Sequence, residues 1–238
     1  MLENINLQDV LFIDIETVAQ RKTMDELSEN IQKYWEKKSK QFRKEEETAS
    51  DIYDKAGIYA EFGKIICISV GVIDNDKFWV KSFFGHDEKQ LLTEFAAMMK
   101  KPKNSNKYLC GHNIKEFDIP YIARRMLINN IELPVAFDLA GKKPWEVKHL
   151  DTFELWKFGD YKHFTSLALL AEILNIPTPK DDIDGSQVYE VYYVENNLER
   201  IATYCEKDVL CVANILLRFM RKNIISFEQI EKPTKIIG

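Results

Sequence analysis

The sequence predicts an α/β fold: a mixed β-sheet flanked by helices, with a helical insertion between the first two strands. Three observations carry this. Apolar runs of strand length stand at 10–16, 65–73 and 77–84, and the segments after them alternate between strand and helix patterns. The clearest helix, 198–221, repeats Ile201, Cys205, Val209, Val212, Leu216 and Phe219 at a 3.6-residue period, so one face is built for burial. A charge-rich segment, 24–63, separates the first apolar run from the second.

In the first strand, 10–16, successive side chains alternate faces. Leu11, Ile13 and Ile15 point one way while Asp14 and Glu16 point the other. The segment 24–63 (including QKYWEKKSKQFRKEEE) has a largely helical pattern with a thin apolar stripe of Ile31, Tyr34, Trp35 and Phe42. IICISVGVID and KFWVKSFF read as strands joined by a hairpin, with Asp-Asn-Asp around Asn75 at its turn. A helix over 87–100, a strand over 107–112 and a helix over 118–129 follow. Pro120 falls in the first turn of that last helix, where it is tolerated. A short strand near 147–151 precedes helices at 165–174, 186–195 and 198–221. The tail from Asn223 shows no identifiable chemistry, and the chain has no internal repeat or low-complexity linker.

Acidic side chains recur in three of these places. Asp14 and Glu16 lie two apart on a strand, roughly 7 Å along it, and can reach toward one hard cation from the same side. Taken alone they also fit a solvated strand face, but their apolar flanks argue for a central strand, where acids need a partner such as a metal. Asp118 opens the helix after YLCGHNIKEF; it is either the helix N-cap or part of a site. Capping would leave Asn113 and Phe117 unexplained, an amide and an aromatic suited to a nucleotide's phosphate or sugar and its base. His112 reads as a strand-end histidine with a local hydrogen bond. Tyr204 and Asp208 are neighbours at i, i+4 on the long helix. At about 100° per residue Asp208 falls roughly 20° from Ile201, on the edge of the apolar stripe. An acid so placed is either held by Tyr204 or an arginine, or belongs to a site.

With the three pieces together, the chain resembles the DEDD (DnaQ-like) 3′→5′ exonucleases, in the subgroup whose third motif carries tyrosine. FIDIET is similar to the first motif of the proofreading domains of family B DNA polymerases, HNIKEFDIPYI to the second and YCEKDV to the third. The stretch from Leu150 to Val188, with LDTFELWKFGDY, TSLALLAEILNI and PKDDIDGSQVY, is similar to the predicted stand-alone bacterial exonucleases related to those domains. The resemblance covers most of residues 8–222.

The resemblance implies a ribonuclease H-like fold and two divalent metal ions. Asp14 would bridge both ions, Glu16 and Asp208 would complete the site of the one that activates the attacking water, and Asp118 would hold the other near the leaving 3′ oxygen. Tyr204 would orient that water. Thr17, Asn113 and Phe117 would sit against the terminal nucleotide. Elementary chemistry agrees: Mg²⁺ and Mn²⁺ both prefer oxygen ligands, and two such ions about 4 Å apart stabilise the entering and leaving oxygens of an in-line displacement. The products would be nucleoside 5′-monophosphates. One departure is the segment 24–63, since the first two strands of the polymerase domains are close in sequence. It reads as a solvated helix on the domain's flank, or as a cap or docking surface in which Tyr34 and Trp35 stack on bases.

Composition bounds the alternatives. At 238 residues and 45% hydrophobic content, the chain is expected to bury one core as a single domain, 1–238, without room for a polymerase module. MLENINLQD has neither a basic n-region nor an apolar h-region, and no run approaches the ~18 apolar residues of a membrane span. A cytoplasmic protein is therefore expected. Cys67, Cys110, Cys205 and Cys211 form no CxxC pair; they read as small buried thiols in a reducing compartment, with no zinc site and no disulfide framework.

A net charge of −5 argues against tight non-specific duplex binding. Lys142, Lys143, Lys148 and Lys180 are candidate phosphate contacts that read equally as solvated lysines. The expected substrate is single-stranded DNA or a frayed 3′ end, acted on alone or beside replication or repair proteins. An exoribonuclease would use the same acids, because contacts to a 2′-hydroxyl are not legible here. A non-catalytic binding module is disfavoured by the retained acids, since an idle cluster of buried charge is costly.

Overall fold

A computed structural model describes residues 2, 4–74, 77–160, 162–177 and 183–232. Asn75 at the expected hairpin turn and Lys180 lie outside the described residues. Strands β1 (Val10–Ala19), β2 (Gly63–Asp74) and β3 (Lys77–Phe84) form an antiparallel meander. β4 (Tyr108–Gly111) pairs in parallel with the opposite edge of β1, β5 (Leu150–Asp151) pairs in parallel with β4, and β6 (Ile230–Glu231) pairs in parallel with β3. Among the described residues the order is β5-β4-β1-β2-β3-β6, a mixed sheet of the ribonuclease H-like kind. Its helices are α1 (Glu29–Ser39), α2 (Glu88–Met99), α3 (Asp118–Ile128), α4 (Thr152–Lys157), α5 (Leu167–Ile173), α6 (Val188–Tyr193) and α7 (Leu198–Phe219). No described helix is long and apolar enough to cross a membrane.

The alternation read in β1 divides the core into two layers. Leu11, Ile13 and Ile15 pack with Leu92 and Phe95 of α2 and with Ile119 and Ile122 of α3. On the other face Val10 and Phe12 meet Val209, Val212 and Leu216 of α7, and Val18 joins Ile201 and Cys205 one to two turns earlier on the same helix. Asp14 and Glu16 therefore lie beneath α7, between two apolar patches. At that point the β1–β2 register shifts: Glu16 faces Cys67 and Thr17 faces Ile65, leaving Ile66 as the extra residue. The bulge turns both Ile66 and Cys67 toward α7, while Ile65 and Ile68 keep to the α2/α3 side.

The structure departs from the sequence expectations in several elements. β1 runs to Ala19 rather than 16 because Thr17, Val18 and Ala19 pair with Ile65, Lys64 and Gly63 of β2; the 3₁₀ turn Tyr53–Ile58 packs against that end, with Gly57 so close that a β-carbon there would lie 3.0 Å from Val18 backbone atoms. The insertion is less helical than its pattern: within it only Glu29–Ser39 is α-helix. Of the two aromatics expected to stack on bases, Trp35 is not available to do so. Trp35 is fully buried against Phe42, Tyr53, Tyr59 and Phe62, with its Nε1–H donating to the Ala49 carbonyl at 2.8 Å, while Tyr34 is 64% exposed. The insertion thus has a small core of its own. The strand expected at 147–151 contracts to Leu150–Asp151, and α4 follows without a break. The tail supplies β6, tied down by Asn214, whose side chain exchanges two hydrogen bonds with the Ile225 backbone at 2.8 and 2.9 Å.

Candidate metal centre

β4 pairs with β1 only as far as Phe12, so the second half of β1 has an open edge on that side. The loop after β4 and the first residue of α3 fill it. Asp118 is not the N-cap of α3; Phe117 occupies that position and Asp118 is the first helical residue. Its carboxylate instead lies toward the backbone N–H of Ile15, which favours its ionised form. This carries Asp118 across the strand edge to Asp14, whose proton affinity it raises.

From above, α7 contributes Tyr204 and Asp208, both half-buried. The two share a hydrogen bond, and Asp14 and Glu16 both act on the Tyr204 hydroxyl. Asp208 in turn raises the pKa of Asp14 and of Glu16. Asp118 and Asp208 thus stand within electrostatic reach of Asp14 and Glu16, at the level of the β1–β2 bulge, while the tight acidic pair among the described residues is Asp14 with Glu16.

The charges are poorly accommodated by the protein alone. Burial, followed by the neighbouring acids, pushes Asp14 and Glu16 well above the usual carboxylate range. Burial likewise raises Asp118 to about 7, with Asp151 adding to it. Burial and Asp208 raise Tyr204, which stays a neutral hydroxyl at any working pH. Glu16 is only 8% exposed, and no hydrogen bond or ion pair from the described residues reaches its carboxylate, whose oxygens keep a narrow contact with solvent. An unpartnered buried carboxylate costs several kcal/mol unless something neutralises it. A divalent cation coordinated by oxygen donors fits this donor set.

The remaining expected residues are placed around the rim. Asn113 adopts a left-handed backbone (φ 62°), half-buried, and its N–H donates to Asp151 Oδ1 at 2.9 Å. Phe117 is half-buried with its ring 5.4 Å from that of Tyr121. Thr17 hydrogen-bonds the Tyr121 hydroxyl, which itself donates to the Gly57 carbonyl at 2.7 Å. Thr17 therefore links the site to the insertion. Asp151, the rival for a metal position, is fully used by the backbone: it accepts from Asn113, Lys115, Phe153 and Glu154 N–H groups, capping α4 and clamping the 113–115 loop. His112 follows the end of β4 as expected, but its hydrogen bonds are not local: it bonds Thr152 Oγ1 at 3.0 Å and the Thr165 carbonyl at 2.9 Å. Burial lowers its pKa.

A groove of about 720 Å³ opens beside Asn113, lined among others by Lys115, Arg124, Lys142, Phe153 and Lys157. Lys142, Lys143 and Lys148 are exposed along its edge segment, and Lys143 sits 5.2 Å over the ring of Trp145, itself 77% exposed.

One site residue escaped the sequence reading. Cys205 was expected to be a plain core thiol, yet its sulfur lies 3.3 Å from Asp14 Oδ2 and 3.5 Å from the Asp14 carbonyl. One ligand atom each of Asp14, Glu16 and Cys205 fall within 4.8 Å of one another. The available signal was its place in the buried stripe of α7, immediately after Tyr204; which strand that stripe covers was not legible.

Residues 58–232 match a family described as predicted 3′-5′ exonuclease related to the exonuclease domain of PolB. The match spans α2 through α7 and both later acidic segments, and it begins after β1. No curated protein matches the chain.

Proposed function

Because the chain belongs to this family of predicted 3′-5′ exonucleases, we propose that it is a two-metal-ion nuclease removing nucleotides from the 3′ end of single-stranded or frayed DNA. The observation that carries the proposal is Glu16: a largely buried side chain whose carboxylate has no protein partner and opens only narrowly to solvent, set beside Asp14 and in the field of Asp208. Asp14, Glu16, Asp118 and Asp208 would hold two divalent cations, Mg²⁺ or Mn²⁺, which when bound neutralise the charge that develops on the phosphate during in-line displacement.

The chain's own residues account for the rest. Tyr204, neutral and hydrogen-bonded to Asp208, presents an oxygen that orients the attacking water without taking up its proton. Asn113 and Phe117, on the loop clamped by Asp151, hold the sugar-phosphate and the base of the last nucleotide. Thr17 lines the opposite side, where Tyr121 restrains its hydroxyl. The groove beside Asn113, with Trp145 exposed at its margin, offers the preceding nucleotides an aromatic face and the lysines Lys142, Lys143 and Lys148. The products are nucleoside 5′-monophosphates.

The test is degradation of a 5′-labelled single-stranded DNA oligonucleotide in Mg²⁺, Mn²⁺ or EDTA, with Asp208→Ala alongside. The expected result is a metal-dependent ladder shortening from the 3′ end, reduced by at least about a hundredfold in the variant. An intact oligonucleotide under every metal would reject the DNA reading. Cleavage of matched RNA alone would assign the same chemistry to RNA.

A further inference from the structure

The second ligand type in the centre is sulfur. Oxygen donors alone select hard ions, whereas a thiol among them favours zinc-class cations. We propose that Asp14, Glu16 and Cys205 form a binding site for soft divalent cations, Zn²⁺ and its spectroscopic analogue Cd²⁺, overlapping a position proposed above for a catalytic ion. The inference rests on that centre accepting cations, but not on its turning over a nucleic acid.

Three observations carry it. The first is distance. In a tetrahedral zinc site, bonds of about 2.3 Å to sulfur and about 2.0–2.1 Å to oxygen place sulfur and oxygen about 3.6 Å apart; Cys205 Sγ stands 3.3 Å from Asp14 Oδ2. The three donor atoms lie within 4.8 Å of one another, so an ion entering between them draws them together by up to about 1 Å. The second is the unpartnered Glu16 carboxylate, buried and directed into the same cluster. The third is topological. Cys205 is fixed on α7 one residue from Tyr204, and the register shift between Glu16 and Thr17 leaves Glu16 opposite Cys67 on β2. Both thiols belong to the same buried cluster between β1, β2 and α7, but the Cys67 sulfur contacts Ser69 Oγ at 3.6 Å while that of Cys205 contacts Asp14.

As the metal–sulfur bond forms, the Cys205 S–H proton leaves to the buffer and the sulfur becomes a thiolate ligand; the two carboxylates supply the remaining negative charge. A fourth position is left for water. Zn²⁺ held this way excludes the hard ion from Asp14 and Glu16, so zinc acts as an inhibitor rather than as a substitute for Mg²⁺ or Mn²⁺.

The experiment is titration of the full, reduced chain with Cd²⁺, read by the ultraviolet thiolate-to-cadmium charge-transfer band. Wild type should show a saturable band at one equivalent, displaced by excess Mn²⁺. In Cys205→Ser the band should vanish and the affinity for Cd²⁺ should fall about tenfold or more, since even outer-shell partners are worth about 10–100-fold. Cys110→Ser and Cys211→Ser should leave it unchanged. X-ray absorption of the zinc-loaded wild type should find one sulfur neighbour among oxygens, a readout that survives if the serine variant fails to fold. A band that persists in Cys205→Ser, or a zinc environment of oxygen and nitrogen only, overturns the proposal. Absence of nuclease activity alongside a Cys205-dependent band would reject the exonuclease reading and leave this one standing.

Discussion

At the scale of single residues, the acids of the centre are held in tension with their surroundings. Asp118 ionises at about 7 rather than at the ordinary 3.8, chiefly through burial, and Asp14 and Glu16 shift the same way. A folded-state pKa above the unfolded value means that the fold takes up protons. The associated stability is therefore fully present below the unfolded pKa and is lost as pH rises through the folded one. In EDTA the melting temperature should fall between about pH 4 and about pH 7, and Asp118→Asn should flatten that slope. Saturating Mn²⁺ should oppose it, because the cation favours the ionised acids. A flat profile in EDTA would show that the acids are solvated and apart. Much of this centre was legible in the sequence, since Asp14 and Glu16 follow from strand alternation and Tyr204 and Asp208 from helix periodicity. The choice between cap and site for Asp118 was not, because both roles put an Asp at the start of a helix.

At the scale of elements, α2 and α3 are locked by one buried ion pair. Arg125 donates through Nε and Nη2 to the two Glu88 oxygens at 2.8 and 2.5 Å, and through Nη1 to the Ala60 carbonyl at 2.9 Å. Glu88 also accepts from the Ile65 N–H at 2.8 Å, reaching the strand beside the bulge. Removing one partner strands the other charge, so Arg125→Met should cost about 3–5 kcal/mol in urea unfolding. Replacing both by apolar residues should recover part of that loss. Neither partner stood out in the sequence: an arginine in a helix usually reads as exposed. The strands β5 and β6 were missed or overextended for a different reason. Two residues cannot display a period, and each exists only because a neighbouring strand offers free backbone groups. Of the two readings of the insertion, base stacking fails for Trp35 because four aromatic rings enclose it.

At the scale of the molecule, the centre joins the two core layers. β1 supplies two acids, α3 reaches around its open edge with a third, and α7 crosses above with the fourth. Cations bound there should therefore stabilise the whole fold. At about a hundred times its dissociation constant, Mn²⁺ should add about 2.7 kcal/mol, seen as a rise in melting temperature that is lost in Asp14→Ala. A rise of equal size in that variant would place the bound ion elsewhere. The insertion enters the same network through Gly57, Tyr121 and Thr17, so it stands beside the centre as a buttress.

The sequence alone determined which residue types carry the chemistry and which local element bears each, because strand and helix periods are written in near neighbours. It also determined the fold class, since the order of apolar patterns admits a sheet covered by helices. Only the tertiary structure decided the strand order, the bulge at Glu16, the clamp at Asp151 and the contact between Cys205 and Asp14. That last pair is separated by 191 positions. Its distance is set by how the apolar stripe of α7 seats on β1, a property of packed surfaces that no local pattern contains.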